Sequence, residues 1–177
     1  MWILEATILL WIQQYLRCQW LTPIMKGLSL IGDLGAVWIL IIVVLFLNKQ
    51  TRKISLIALT SLLMNLIVCN GLIKPMIGRV RPYERIEGLN ILVKEPWDHS
   101  FPSGHTSAAF AAAWILYLRF GKKVGIPALI LATLISFSRL YVGVHYPSDV
   151  LGGIFVGTLI AFVVNHCAKR LEERGKI

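Results

Sequence analysis

Apolar runs long enough to cross a lipid bilayer recur along this chain, and they limit what it can fold into more than any other feature. Such runs cover roughly residues 30–47, 54–73, 104–120, 124–141 and 149–167, and a bilayer crossing takes about 20 predominantly apolar residues, with a range of about 17–25. A chain of 177 residues, 56% hydrophobic and 15% charged, has no soluble core large enough to take in five such runs. The same composition excludes a disordered chain, a collagen-like repeat and a disulfide-stapled secreted fold. Cys18, Cys69 and Cys167 are odd in number, far apart and without metal-ligand spacing, so they read as small apolar space-fillers. The expectation is an all-α polytopic transmembrane helical bundle forming one domain over residues 1–177.

Residues 2–21 do not read as a clean span. Leu4, Ile8, Trp11, Tyr15 and Cys18 form one uncharged stripe at helical spacing, while Glu5, Gln13, Gln14 and Arg17 interrupt the other faces. With Trp2, Trp11, Trp20 and Tyr15 present, the segment predicts a helix lying in the membrane interface. Five spans plus this interfacial helix is the reading; six spans is the alternative. A cleaved signal peptide is not expected, because no basic leader and no small-residue cleavage site precede Pro23. Among the spans, 104–120 is rich in alanine (Ala108, Ala109, Ala111, Ala112, Ala113), and 149–167 carries Gly153 and Gly157 in small-xxx-small spacing. Both patterns suit close helix packing.

The net charge of +9 would point to nucleic acid if the basic residues shared a water-facing surface. They sit instead in short loops between apolar runs, so no nucleic-acid partner is expected. Lys49, Arg52 and Lys53 fall in one loop, Arg119, Lys122 and Lys123 in another, and Lys169, Arg170, Arg174 and Lys176 at the C-terminus. By the positive-inside rule these three regions are cytoplasmic in a multi-pass cell-membrane protein. Segments 74–103 and 139–148 then face the extracytoplasmic side. The long connection 74–103 is punctuated by Pro75, Pro82, Pro96 and Pro102, and a connection of that length in a compact domain is usually functional or disordered.

Three short motifs fall at the outer ends of the spans. Lys74, Arg81 and Arg139 supply three cations able to converge at one membrane face. A phosphoryl group in transfer spreads negative charge over three equatorial oxygens, and guanidinium forks match that geometry. Ser103 and Gly104 stand directly before an apolar helix, where serine is a good N-cap, first-turn amides bind anions and glycine permits close approach. His145 and Asp149 are four residues apart around Pro147, so the carboxylate can orient one ring nitrogen. His105 is a second outward histidine, placed to hand a proton to a leaving alkoxide. Two histidines among three cations make a phosphotransfer site, and no residue cluster with metal-ligand spacing accompanies them.

Lys74-x6-Arg81-Pro82, Pro102-Ser103-Gly104-His105 and Ser138-Arg139-x5-His145-x3-Asp149 together resemble the three-part signature of the type 2 phosphatidic acid phosphatases. That superfamily also takes in bacterial acid phosphatases and vanadium haloperoxidases. The resemblance implies a helical bundle with its site at the outer leaflet and no cofactor. It implies His145 as the nucleophile that becomes a phosphohistidine, Asp149 as the group orienting it, and His105 as general acid and then base for water. Lys74, Arg81, Ser103, Gly104 and Arg139 are implied as the phosphate-binding residues.

The implied activity is an integral-membrane phosphohydrolase acting on lipid phosphates or diphosphates, with undecaprenyl diphosphate as the first expectation. Phosphatidylglycerophosphate, phosphatidate and lipid A phosphate are alternatives. A lipid-to-lipid phosphotransferase and a non-enzymatic phospholipid-binding membrane protein stand beside it. Among the remaining polar residues, Asp33 reads as a helix cap. Asn70 reads either as an orienting partner for Lys74 or as a group in an interhelical hydrogen bond, and Asp98 and His99 read as residues at the entrance.

Overall fold

The structure, a computed structural model, describes residues 2–175, with nothing said of the Leu34 side chain. It is all-helical over those residues. Helix α1 (Trp2–Trp11) runs into a π-helical turn at Ile12–Leu16; α2 (Leu21–Ile31) is followed by a 3₁₀ turn at Asp33–Gly35 and then α3 (Ala36–Leu47). Helix α4 (Arg52–Asn65) continues as a π-helical stretch, Leu66–Ile73, into the short α5 (Lys74–Ile77). After an irregular connection holding one 3₁₀ turn at Pro82–Glu84 come α6 (Gly104–Phe120), α7 (Lys122–Tyr141) and α8 (Pro147–Glu173).

Three of these elements are long and apolar enough to cross a membrane: the continuous Arg52–Glu84 stretch, α7 and α8. The bent pair α2 and α3, at 56° to each other, makes a fourth if counted as one span. The run 30–47 therefore does not begin a straight helix. Gly32 and Gly35 flank a break, and Gly35 takes a left-handed φ of 69°. Helix α6 has 17 residues, at the short end of what spans a bilayer.

Helix α6 is the axis of the bundle, packed by α4, α7 and α8. Ala109, Ala111 and Ala113 have no exposed surface, so neighbouring backbones come close to it without steric cost. On α8 the small-xxx-small pair closes the seam. A Cβ on Gly157 would stand 2.2 Å from the Ser107 carbonyl oxygen, and one on Gly153 would stand 2.8 Å from that of Ser103. Without a hydrophobic driving force between helices in lipid, such backbone proximity is what holds them together. The opposite surfaces of α3, α4 and α8 expose Leu40, Val44, Leu63, Leu151, Phe155 and Leu159, as a lipid-facing shell requires.

The N-terminal segment packs differently from the stripe its sequence presents. Leu4, Trp11 and Tyr15 are exposed, while Glu5, Leu9 and Ile12 are buried. The polar residues dock the helix. Glu5 pairs with Arg79, Gln13 bonds the Gly88 carbonyl, and Arg17 donates to the carbonyls of Tyr141 and Asn90. A buried carboxylate is tolerable only when paired, and the paired face therefore turns inward while the apolar stripe faces out. At 1.5 Å per residue, α1 and its π turn reach about 22 Å, short of a hydrocarbon core of about 30 Å.

Candidate active site

The three motifs meet at one end of the bundle, and the route of the chain brings them there. Lys74 follows the end of the α4 stretch, Ser103 and Gly104 begin α6, Arg139 lies in the last turn of α7, and Asp149 in the first turn of α8. Arg119 and Glu172, which form an ion pair, mark the other end together with the 48–51 turn. All eight residues singled out from sequence thus lie at the same end of the fold.

His145 sits in the tight connection between α7 and α8. Gly143 makes that turn at φ 84°, a left-handed value that a side chain rarely adopts. A Cβ there would also crowd Arg17 and the Asn90 carbonyl. The ring is 1% exposed. Its Nδ1 faces Asp149 Oδ2 at 3.4 Å, and its Nε2 faces the Arg81 guanidinium at 3.5 Å. Both contacts are longer than a strong hydrogen bond. Burial holds the imidazole far below its ordinary pKa, down to about 3, with Arg81 and Arg139 adding to the shift and Asp149 opposing it. A neutral ring with its proton on Nδ1 would donate to Asp149 and turn its Nε2 lone pair toward Arg81.

Asp149 is fully buried and held from several sides. Its Oδ2 accepts from Ser100 Oγ at 2.5 Å and from the Tyr146 amide at 2.8 Å, the latter as part of the capping box of α8. Its Oδ1 accepts from Arg79 at 2.5 Å. Arg79 in turn binds Glu5 and Ser148 and lies over the Tyr146 ring at 4.0 Å. Sequence reading missed Arg79, Ser100 and Glu5. Their partners are 70, 49 and 74 residues away in the chain for the bonds Arg79–Asp149, Ser100–Asp149 and Arg79–Glu5, and no local pattern records such a meeting.

Lys74 and Arg81 converge on one carboxylate, that of Asp98. Lys74 pairs with Oδ2, Arg81 Nη2 with Oδ1 at 2.6 Å, and Arg81 Nε with the Asp98 carbonyl at 2.9 Å. Arg81 Nη1 also donates to the Val144 carbonyl at 2.8 Å, fixing the residue before His145. Burial pushes the Asp98 carboxyl up, but Lys74 and Arg81 outweigh it and hold it at about 2. His99, by contrast, is exposed.

Ser103 stands at the N-cap position of α6, but its hydroxyl does not cap the helix. It accepts from Thr106 Oγ1 at 3.1 Å, while the Ser103 amide donates to the Asp149 carbonyl at 3.0 Å. The first-turn amides of α6 remain free of intrahelical partners, as at any helix start. Gly104 lies against Asn70 Oδ1 and Lys74 Nζ, which a Cβ would meet at 3.1 and 3.6 Å.

Arg139, 4% exposed, donates through Nη1 to Ser29 on α2, and its buried Nε has no partner among the described residues. His105 bonds Asp33, with Nε2 to Oδ1 at 2.6 Å. The helix-cap reading of Asp33 is thus overturned, since neither α3 nor the 3₁₀ turn has a side-chain cap. Among the described residues no three His, Cys, Asp or Glu side chains gather as a metal site.

A cleft of 1410 Å³ opens onto this region. Asp33, Lys74, Asp98, Gly104, His105 and Arg139 form its polar part, and Ile39, Leu59, Leu62, Leu63 and Leu66 an apolar wall. One cleft thus offers cations and a histidine at one end and aliphatic surface from α3 and α4 along its side.

Comparison with known proteins agrees with this geometry. The PAP2 superfamily model matches residues 54–173. An undecaprenyl-diphosphatase of Sulfolobus acidocaldarius is 36% identical over 141 residues, covering 80% of this chain and 66% of that protein. Undecaprenyl-diphosphatase BcrC of Bacillus subtilis is 38% identical over 125 residues, covering 71% of this chain and 63% of that one. The matched region thus spans slightly under two thirds of each relative's length. Among solved structures, the transmembrane PAP2-type phosphatidylglycerolphosphate phosphatase of Bacillus subtilis superposes with a TM-score of 0.78 at 29% identity, covering 94% of this chain and 85% of that one.

Proposed function

The chain belongs to the PAP2 superfamily, and on that premise we propose that it is a membrane lipid-phosphate phosphatase working through a covalent phosphohistidine. The observation that carries the proposal is His145, buried, with Nδ1 toward Asp149 and Nε2 toward Arg81, in a site where burial disfavours its protonated form. Binding alone has no use for an oriented neutral imidazole. A nucleophile needs one.

In the proposed cycle the phosphoryl group seats on Lys74, Arg81, Arg139 and the first amides of α6, displacing Asp98 from the two cations it occupies. His145 Nε2 attacks phosphorus as the bond to the leaving oxygen breaks, and His105 gives that oxygen a proton. Asp149 steadies the positive charge that develops on His145. His105 then takes a proton from water, which attacks the phosphohistidine, releasing inorganic phosphate and restoring both rings. The Ile39–Leu66 wall accommodates the lipid tail. The whole of residues 1–177 acts as one domain, and the site faces the extracytoplasmic side, opposite the basic regions around Lys49, Lys122 and Lys169. Undecaprenyl diphosphate is the proposed substrate, supported by the two relatives named for it.

The test is phosphate release by detergent-purified protein in EDTA over a panel of lipid phosphates and diphosphates, with His145→Ala beside wild type. Release by wild type and a fall of at least about 1000-fold in the variant are expected for loss of a nucleophile. Wild-type release that requires a divalent ion would overturn the mechanism. Release from no lipid would favour a transferase lacking its acceptor or a binding protein.

A further inference from the structure

We propose that Asp33 is the positioning residue for His105, forming a second histidine–carboxylate pair, which lines the cleft. The inference rests on the proposed acid–base role of His105. Asp33 Oδ1 lies 2.6 Å from His105 Nε2, and the two residues come from segments 72 positions apart. The local fold is built around this contact. Helix α2 stops at Ile31, the chain bends by 56° before α3, and Asp33 is placed in the cleft by that break. Gly32 beside it makes room for the ring, because a Cβ there would meet His105 Cδ2 at 3.1 Å and Ile135 Cγ2 at 2.9 Å. One turn earlier on α2, Ser29 holds Arg139. Ser29 and Asp33, four residues apart, therefore each hold one charged group of the site.

The pairing decides which nitrogen does the chemistry. With Nε2–H committed to Asp33, Nδ1 is the nitrogen that gives a proton to the leaving group and takes one from water. The other charged groups near this ring are Arg139 on α7 and Lys74 on α5. Burial and both cations disfavour a proton on His105, and Asp33 opposes them. The pair thus supplies orientation, tautomer and charge balance to a ring that must alternate between its two states within each cycle.

The experiment compares wild type with Asp33→Asn, Asp33→Ala and His105→Asn in the full chain, purified in detergent. It measures kcat and KM on the lipid phosphate that wild type turns over fastest. It also records the imidazole ¹⁵N spectrum of histidine-labelled protein, with His105→Asn assigning the resonance. The expected result is a fall in kcat of about 10-fold for Asn, which keeps an acceptor for Nε2–H, and about 100-fold for Ala, with KM little changed; general acid–base catalysis as a whole is worth about 10²–10⁴-fold. In the spectrum, Asp33→Ala is expected to lose the Nε2–H preference of His105, and Asp33→Asn to retain it. An inactive His105→Asn beside an unimpaired Asp33→Ala overturns the Asp33 proposal alone, as does an unchanged His105 spectrum in Asp33→Ala. Full activity in His105→Asn overturns the acid–base role and the proposal with it.

Discussion

The two histidine–carboxylate pairs of this site are built in opposite ways. His145 and Asp149 are four residues apart at the start of one helix, both side chains are almost fully buried, and their contact is 3.4 Å. His105 and Asp33 come from distant segments and meet at 2.6 Å, with Asp33 half exposed and His105 partly so. The difference matches what the proposed cycle asks of each ring. A nucleophile must present one lone pair in one direction and stay neutral until it attacks, which burial and a fixed carboxylate accomplish. A proton shuttle must exchange with water and leaving group in every turnover, so its pair stands at the cleft.

The largest effect on this comparison is expected from Asp149→Asn. The Asn amide can orient the ring in the wrong tautomer and cannot balance its positive charge, so turnover should fall about 1000-fold or more, as when the carboxylate behind a catalytic histidine is neutralised. A loss no greater than that of Asp33→Asn would erase the distinction between the two pairs. Steady-state kinetics beside a circular dichroism control decides it.

Next comes Arg139→Lys. Arg139 lies near both rings, and its Nε, without a partner among the described residues, is the group proposed to meet a phosphate oxygen. Lysine keeps the charge but not the fork, and loss of one such donor costs about 100-fold in kcat. Near-normal kcat would remove Arg139 from the phosphate site.

A smaller effect, about 10-fold in kcat, is expected for Arg79→Gln, which leaves Asp149 with Ser100 and the Tyr146 amide. Loss of a partly buried ion pair with Glu5 should also loosen α1, costing roughly 1–3 kcal/mol where a buried charge loses its partner. Faster proteolysis or hydrogen exchange over residues 2–16 would report it, and exchange like that of wild type would show that α1 docks without this contact.

The smallest effect is on stability against pH. His145 stays neutral in the folded protein down to about pH 3, whereas the unfolded chain takes up this proton below about pH 6.5. The stabilising contribution is therefore full above about pH 6.5 and is lost as pH falls from there toward 3. The melting temperature in detergent should drop between pH 7 and 5, and His145→Asn should make that slope shallower. An identical slope in both proteins would mean that the ring is not buried neutral.

Much of the bundle was legible before any coordinates. Apolar length marked the stretches that hold α3, α4, α7 and α8, and the alanines of α6 and the pair Gly153 and Gly157 marked faces suited to close helix packing. These are local patterns that follow from helix geometry and side-chain size. Which face of the N-terminal helix turns inward was not legible, because period alone does not decide it. There a buried Glu5–Arg79 pair outweighs an apolar face.

The motifs by themselves picked out eight residues from Lys74 to Asp149, each near the end of an apolar run, and the fold gathers them at one end of the bundle. Only the tertiary structure decided what stands behind it: Asp33 and Ser29 on a bent helix, Asp98 between two cations, and Arg79 and Ser100 on Asp149. Those supporting groups answer to a charge or a proton many residues away. Their identity as Asp, Ser or Arg is common everywhere in a sequence, and it acquires meaning only when the fold brings the partner within hydrogen-bonding distance.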